Sequence, residues 1–245
     1  MNEDVLIALE GIMKQYNEQK RIGEISFSVK RGEILALCGG NGAGKSTLIK
    51  ILTGILKPTT GMIKVEDKLA DPMSKPYKAF FSYMPDDMVF PKQLTGLETL
   101  KFFAGLQGID DERVEKVLTK VGLYDDRSMF IKHYSKGMQQ RLSLAQALLS
   151  DAPFLILDEP TNGLDPFWVF RFKEIIREEK EAGKTILFST HILSIVEEIA
   201  NTAVFMEEGK LLHHEQIAKL TNKDGKYIPL EKVFFDRQIA GAGKS

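Results

Sequence analysis

Residues 39–46, Gly-Gly-Asn-Gly-Ala-Gly-Lys-Ser, have the types and spacing of a loop that holds nucleotide phosphates. Gly39, Gly44, Lys45 and Ser46 meet the pattern Gly-x-x-x-x-Gly-Lys-Ser/Thr. In such a loop the glycines turn backbone N–H groups toward the anion, the lysine reaches the β- and γ-phosphates, and the hydroxyl offers an oxygen to Mg²⁺. The loop therefore predicts binding of a nucleotide together with Mg²⁺.

The elements on either side of this loop fit that role. Residues 33–38 are a short apolar run suited to a buried parallel strand, and residues 45–56 carry apolar side chains at helical spacing. The loop is therefore predicted where a strand becomes a helix. The positive end of the helix dipole then faces the phosphates.

Two carboxylates follow a second buried strand. Residues 154–157 are all apolar, and Asp158 and Glu159 come directly after them. Ligands of an open parallel sheet collect at the carboxyl ends of its strands, where successive side chains point in opposite directions. We assign Asp158 to the Mg²⁺ shell and Glu159 to orienting or deprotonating the attacking water. A lone histidine is usually structural, but His191 ends the strand predicted at 185–188 at the same edge, where it could make a polar contact to the γ-phosphate or the water.

For the next candidates the residues alone leave two possible roles each. Asp86 and Asp87 follow a strand at 80–85, where they could reach a metal or its water, or could be solvated groups that cap a helix. Tyr16 stands alone in a polar loop, where a ring is either a partly buried anchor or a surface on which a base stacks.

From residue 94 to 150 the pattern becomes helical. Thr95 and Glu98 form a capping box, and the last helix of this stretch is predicted to begin at Ser135. Serine followed by Gly137 at a helix start is a second possible anion site, although serine is also an ordinary N-cap. The stretch has the character of a helical insertion in an α/β core.

Composition limits the class of protein. The 245 residues carry 33 basic and 34 acidic side chains, so a net charge of −1 gives no reason to expect nucleic acid as a partner. One cysteine, Cys38, excludes an internal disulfide and a cysteine-based metal site. We expect neither a secretory signal nor a membrane span, so other subunits must supply any membrane passage.

The motifs, taken in order, resemble those of the ATP-binding subunit of ATP-binding cassette (ABC) transporters over essentially the whole chain. The resemblance is greatest to the subfamily that serves small bacterial exporters. It implies an α/β fold: a P-loop NTPase core with a mostly parallel sheet, an N-terminal antiparallel β subdomain and a helical insertion at about 88–150. Residues 1–220 would form one domain. Residues 221–245 would form a C-terminal extension and flexible tail, whose final letters repeat those of residues 42–46 without the helix that a phosphate loop needs.

The resemblance also assigns roles to residues. Tyr16 matches the aromatic residue that stacks on adenine, residues 134–138 match the signature motif, residues 163–165 the D-loop, and His191 the switch histidine. Ser135 and Gly137 would then contact ATP bound to the phosphate loop of another subunit. The resemblance implies catalytic roles for Glu159, His191 and Lys45, and Mg²⁺ contacts for Ser46, Asp158 and Asp86. The implied ATP contacts are Tyr16, Gly39, Asn41, Gly42, Gly44, Lys45, Ser46, Thr47, Ser135, Gly137 and Asp165.

Three positions depart from the family pattern. Gly40 stands where proline is frequent, which should loosen the loop. Asp86 occupies the place of a glutamine or glutamate, so its shorter reach puts the coupling role of that position in doubt. In the signature motif Lys136 and Met138 replace the common glycine and glutamine, while the phosphate-contacting Ser135 and Gly137 remain.

The function implied is an Mg²⁺-dependent ATPase that powers a membrane transporter, expected to be an exporter. Two chains, either identical or related, would close head to tail around two ATP molecules. They would bind a transmembrane permease at the cytoplasmic, inner face of the cell membrane. One alternative is a soluble ABC-type ATPase that acts in DNA repair or on ribosomes, although such relatives carry a long coiled coil or tandem cassettes. Another is a P-loop kinase, which does not account for the signature residues 134–138.

Overall fold

The computed structural model describes residues 4–17, 21–223 and 225–242. Two large sheets, a two-stranded sheet formed by β11 and β12, and their flanking helices make up this part of the chain. The strands are β1 Val5–Gln15, β2 Arg21–Lys30, β3 Ile34–Cys38, β4 Thr60–Val65, β5 Lys68–Leu69, β6 Phe81–Met84, β7 Phe154–Leu157, β8 Thr185–Thr190, β9 Thr202–Glu207, β10 Lys210–Gln216, β11 Asn222–Lys223 and β12 Lys226–Tyr227. The helices are α1 Lys45–Leu52, α2 Lys75–Lys78, α3 Gly96–Gln107, α4 Asp111–Lys120, α5 Lys136–Leu149, α6 Pro166–Glu181, α7 Leu193–Ile199, α8 Ile217–Thr221 and α9 Leu230–Ala242, with a 3-10 helix at Ile131–His133.

The central sheet positions the site. Its strand order is β10-β9-β3-β8-β7-β6. Every neighbouring pair from β9 to β6 is parallel, and β10 joins antiparallel at one edge. The strands β3, β7 and β8 are wholly buried, as their continuous apolar runs predict. Their carboxyl ends therefore meet at one edge, which is where ligands of such sheets bind.

A second sheet covers the phosphate-loop helix. Its order is β2-β1-β4-β5, and all of its pairs are antiparallel. Buried side chains of β1 and β2 form one apolar cluster with those of α1, including Leu9, Ile25 and Ile49. The predicted N-terminal antiparallel β subdomain is confirmed.

The helical insertion lies between β6 and β7 and contains α3, α4, the 3-10 helix and α5. Its boundaries follow local capping chemistry. Thr95 and Glu98 form the predicted capping box at the start of α3, with Glu98 N donating to Thr95 Oγ1 at 3.1 Å and Thr95 N donating to Glu98 Oε2 at 2.8 Å. Leu100, Leu118 and Leu148 bury the facing sides of the three α-helices in one core. The helical character predicted for this stretch is therefore correct.

Two elements differ from expectation. The helix after the phosphate loop ends at Leu52, four residues earlier than its apolar spacing suggests. The C-terminal extension, for which no helix was predicted, contains α9. Leu230 of α9 is fully buried and its N–H donates to Glu197 Oε2 at 2.8 Å, while the ring of Phe234 stacks on Phe205 at 5.3 Å between centroids.

The domain boundary at residue 220 stays a prediction. Of the residues expected to form a flexible tail, Gly241 and Ala242 end α9, and residues 243–245 lie outside the described part of the chain.

Candidate functional site

The phosphate loop occupies the turn from β3 into α1, as predicted. Gly44 is the N-cap of α1 in the left-handed conformation, with φ of 100°. A Cβ on Gly39 would lie 2.4 Å from the carbonyl oxygen of Met206, so only glycine fits where the loop leaves the sheet. Lys45 is 6% exposed, and its Nζ donates to the carbonyl oxygens of Gly39 at 2.7 Å and Gly40 at 3.3 Å. The ammonium group is therefore folded over the loop, where a phosphate would meet it.

Asp158 lies at the bottom of the site at the end of β7. It is 2% exposed, and its Oδ1 accepts a hydrogen bond from Ser189 Oγ at 2.5 Å. Burial raises the pKa of Asp158, while hydrogen bonds from Ser189 and Ser46 oppose that rise. A buried carboxylate beside a hydroxyl of the phosphate loop is a location where a cation would relieve the cost of burial.

Glu159 is the most constrained residue of the site. Its backbone has φ of 46°, a conformation that is uncommon for a non-glycine residue. The N–H donates to Ser189 Oγ at 2.8 Å, and the carbonyl oxygen accepts from Gln140 Nε2 at 3.0 Å. These bonds hold the strained turn after β7, and such strain is found where a side chain must be aimed.

The Glu159 carboxylate lies between two nitrogen groups. Oε1 is 3.0 Å from Lys45 Nζ, and Oε2 is 3.1 Å from His191 Nδ1. Glu159 is 6% exposed, whereas the side chain of His191 is 49% exposed. The structure thus brings together all three residues to which the sequence assigned catalysis.

Asp86 and Tyr16 border the same region. Asp86 Oδ1 accepts a hydrogen bond from Asn162 Nδ2 at 2.9 Å, and its charge is one of the causes that raise the pKa of Asp158. Tyr16 OH lies 3.2 Å from Thr47 Oγ1 at the start of α1, and the residue is 48% exposed. Its ring therefore stands beside the phosphate loop. The roles of Asp86 in Mg²⁺ binding and of Tyr16 in adenine stacking stay predictions.

The signature residues lie apart from this cluster. Ser135 is the N-cap of α5, where its Oγ accepts from Met138 N at 3.1 Å, and it is exposed. A Cβ on Gly137 would lie 3.1 Å from the carbonyl oxygen of Gly163, so the signature loop packs on the D-loop of its own chain. Asp165 caps α6 by accepting from Trp168 N at 3.0 Å. Among the described residues, no hydrogen bond joins residues 135–137 to the phosphate loop.

Sequence reasoning did not assign roles to three residues that support the site. Ser189 links Asp158 to the backbone of Glu159, Gln140 holds the Glu159 carbonyl, and Asn162 holds Asp86. Ser189 could have been found from the sequence, because it is a polar residue directly after the apolar run of a buried strand. Gln140 and Asn162 gave no such signal, because their importance depends on which strands and helices become neighbours.

The oxygen atoms of Ser46 and Asp158 suit Mg²⁺ bound together with a nucleotide better than they suit a metal ion held by protein ligands alone. Within the described ranges, no group of three or more His, Cys, Asp or Glu residues is arranged to hold a metal ion. Ser46 and Asp158 offer two hard oxygen ligands at this edge of the sheet, and Ser46 is one of the groups that lower the pKa of Asp158. Mg²⁺ is usually held by one or two carboxylates together with phosphate oxygens and water, so this pair suits it when a nucleotide is present.

Comparison with known proteins decides the family. The family model described as "ABC transporter" matches residues 22–162, which contain the phosphate loop, the helical insertion and both carboxylates. The chain belongs to the ABC transporter family. Within that family it is an ATP-binding subunit with a P-loop NTPase fold.

Individual relatives align with most of this chain. The lantibiotic transport ATP-binding protein SrtF of Streptococcus pyogenes is 35% identical, and the alignment covers 84% of this chain and 89% of SrtF. The bacitracin transport ATP-binding protein BcrA of Bacillus licheniformis is 35% identical, with 92% of this chain and 74% of BcrA covered. A solved ATP-binding subunit of an ABC transporter superposes with a TM-score of 0.83 at 31% identity, covering 94% of this chain and 98% of that structure. None of the described helices of this cassette has the length and apolar character needed to cross a bilayer.

Proposed function

We propose that this ABC subunit hydrolyses ATP with the help of Mg²⁺ and thereby powers an exporter. The observation that carries the proposal is the Glu159 carboxylate, which is buried at the edge of the sheet and held between Lys45 and His191. A carboxylate with fixed orientation beside a phosphate-binding lysine is suited to orient or deprotonate a water that attacks the γ-phosphate. Glu159 is accordingly the general base.

Lys45 changes partners when nucleotide binds. Without nucleotide its ammonium group is shared by Glu159 and the loop carbonyls of Gly39 and Gly40. A phosphate placed on the loop attracts the same ammonium group, which frees Glu159 to accept the proton of water. His191, half exposed at 3.1 Å from Glu159, then orients that carboxylate and the γ-phosphate. Ser46 and Asp158 would hold Mg²⁺, which supplies positive charge to the phosphates.

The second half of each active site comes from another ABC subunit. Ser135 and Gly137 are accessible at the start of α5 and make no hydrogen bond to the phosphate loop of their own chain within the described residues. A helix start with exposed N–H groups binds anions. Head-to-tail pairing of two chains would place it against the ATP of the partner, with Asp165 close to the junction. The closed pair forms because ATP contacts both subunits.

The membrane partner supplies the passage and the substrate specificity. SrtF and BcrA are named for lantibiotic and bacitracin transport. By their similarity we assign this chain to an exporter of a drug, peptide or lipid, at the cytoplasmic face of the membrane and bound to a transmembrane permease. The same relatives disfavour the alternative of a soluble ATPase that acts on nucleic acid or ribosomes. Copurification of the chain with a membrane subunit tests this assignment directly.

Replacement of Glu159 by glutamine tests the catalytic assignment. We expect Glu159→Gln to keep ATP binding, to lose about 10²–10⁴-fold in hydrolysis, and to accumulate as an ATP-bound dimer. The measurements are nucleotide titration, phosphate release and size-exclusion chromatography with ATP. Glu115→Gln, a change of the same type on the exposed face of α4, is the matched control and should hydrolyse ATP normally. Undiminished turnover by Glu159→Gln would remove Glu159 from the role of general base.

A further inference from the structure

Trp168, the single tryptophan of the chain, lies at the junction between α6 and the helical insertion. Its ring packs against the backbone that connects α4 to α5. A Cβ on Gly122 would lie 2.0 Å from Cη2 of the indole, and Gly122 itself has φ of 64°. The ring therefore occupies the space in which any larger residue at position 122 would place its side chain.

The indole also contacts Phe167, edge to face at 5.4 Å between centroids, and Arg141, on α5. The guanidinium carbon of Arg141 is 3.9 Å from the ring centroid, a distance typical of a cation–π stack. Arg141 is buried, and its Nη1 donates to the carbonyl oxygens of Val121 at 2.9 Å and Gly122 at 2.7 Å. The buried Nε of Arg141 has no hydrogen-bond partner within the described chain. Stacking on the indole is thus the contact that covers the guanidinium plane.

This junction connects the two segments that face a partner subunit. Trp168 N donates to Asp165, so the tryptophan is part of the first turn after the D-loop. Arg141 lies on the helix that Ser135 caps, about one and a half turns further along. The signature loop and the D-loop also touch directly, between Gly137 and Gly163. A shift of α5 against α6 would therefore change the spacing between Ser135 and Asp165.

We propose that Trp168 is a positioning residue that sets the placement of Ser135 and Gly137 for the nucleotide of the neighbouring subunit. The inference rests on the proposed two-subunit site. Among the described contacts of Trp168 none is with the phosphate loop, so its loss should leave nucleotide binding by one chain intact. It does alter the geometry with which the signature loop meets the second chain, and misplacement of such groups by about 1 Å reduces turnover.

Three variants of the full-length chain separate this role from a general effect on stability. Trp168→Leu removes the stack, Trp168→Phe keeps an aromatic ring, and Phe170→Leu changes an exposed aromatic residue on the same helix. We expect ATP affinity of the single chain to stay within about twofold in all three. Maximal hydrolysis should fall about tenfold in Trp168→Leu, fall less in Trp168→Phe, and stay unchanged in Phe170→Leu. Equal turnover in Trp168→Leu and the parent chain would overturn the proposal, and Trp168→Phe decides the matter if the leucine variant does not fold.

Dimerisation distinguishes failure of this inference from failure of the proposed function. In the Glu159→Gln background, we expect addition of Trp168→Leu to raise the ATP concentration needed for dimerisation by about tenfold. Equal dimerisation with and without Trp168→Leu would reject the role of Trp168 and leave the two-subunit site in place. Absence of an ATP-dependent dimer in Glu159→Gln itself would instead reject the two-subunit site, and with it this inference.

A double-mutant cycle tests whether Gly122 and Trp168 act together. Gly122→Ala places a methyl group in the indole and also strains the left-handed backbone at φ of 64°, so it should lower hydrolysis at least as much as Trp168→Leu. Since the leucine variant removes most of the collision but not the backbone strain, the double variant should lose less than the product of the two single losses. Losses that multiply independently would show that Trp168 does not act through this contact.

Discussion

The two halves of the nucleotide site are built in different ways. The half at the sheet edge is buried and internally bonded: Lys45, Glu159 and Asp158 are each at most 6% exposed, and each contacts another residue of the site. The half on the helical insertion is exposed, and Ser135 uses its hydroxyl only to cap its own helix among the described contacts. The first half is therefore preformed within one chain, whereas the second is complete only when another chain supplies the nucleotide.

The elements that carry each half explain this difference. Parallel hydrogen bonding places the ends of β3, β7 and β8 side by side, so their polar residues are neighbours whether or not nucleotide is bound. The signature loop instead starts α5, which packs on α3, α4 and β6, and Ser135 makes no hydrogen bond to the phosphate loop among the described contacts. Substitutions at the sheet edge should therefore strongly alter the stability of a single chain, whereas substitution of Ser135 in the signature loop should cost only the about 1 kcal/mol of its helix cap.

The largest effect is expected from breaking the Lys45–Glu159 pair. Lys45→Met leaves a buried carboxylate without its cation and should destabilise the nucleotide-free chain by about 3 kcal/mol. The double variant Lys45→Met with Glu159→Gln should recover most of that loss, because neither charge remains. Denaturant unfolding without nucleotide measures the free energy of unfolding of the single and the double variant. Lys64→Met removes one partner of a more exposed pair with Glu10 and should cost less than about 1 kcal/mol. Equal losses for the two lysines would contradict the claim that the sheet-edge half is preformed.

A mixed dimer tests the other half. Ser135→Ala should lower hydrolysis by roughly 10²-fold and leave ATP binding by one chain normal. Its loss of stability should be only the about 1 kcal/mol expected for a lost N-cap. When Ser135→Ala chains are mixed with Lys45→Met chains, one of the two sites in each mixed dimer combines an intact phosphate loop with an intact signature loop. Phosphate release should therefore rise well above that of either variant alone. If mixing restores nothing, each chain must contain both halves of its own site.

The smallest effect, a loss of stability, is expected at Glu179, whose ion pair with Lys120 joins α6 to the helical insertion. Burial opposes ionisation of Glu179 on α6, but the hydrogen bonds and charges of Lys120 and Lys184 outweigh it and hold the pKa of Glu179 below its ordinary value. Glu179 consequently contributes stability above about pH 4.3, and that contribution is lost as the pH falls through its lowered pKa. Glu179→Gln should destabilise the chain by about 1–2 kcal/mol at pH 7 and by less in acid. Unfolding curves at several pH values measure the difference, and a loss that does not change with pH would exclude this charge network as its source.

Local chemistry explains why much of this structure could be predicted. The capping box at Thr95, the N-cap at Ser135 and the apolar runs of β3, β7 and β8 are each specified by neighbours within a few residues. The same holds for the phosphate loop, because its glycines and lysine act through their own backbone turn. The helix α9 was not predicted, since its anchors at Glu197 and Phe205 are distant in the sequence.

The sequence by itself determined which residues stand at the ends of the central strands, and hence the family and the candidates for chemistry. Only the tertiary structure decided which of them touch. The order of strands in the sheet places Ser189 between Asp158 and Glu159, and brings the Lys45 ammonium group to within 3.0 Å of Glu159. Side-chain packing placed the indole of Trp168 between Gly122 and Arg141. Such contacts depend on distances between segments that are remote along the chain, and periodicity and motif spacing carry no information about those distances.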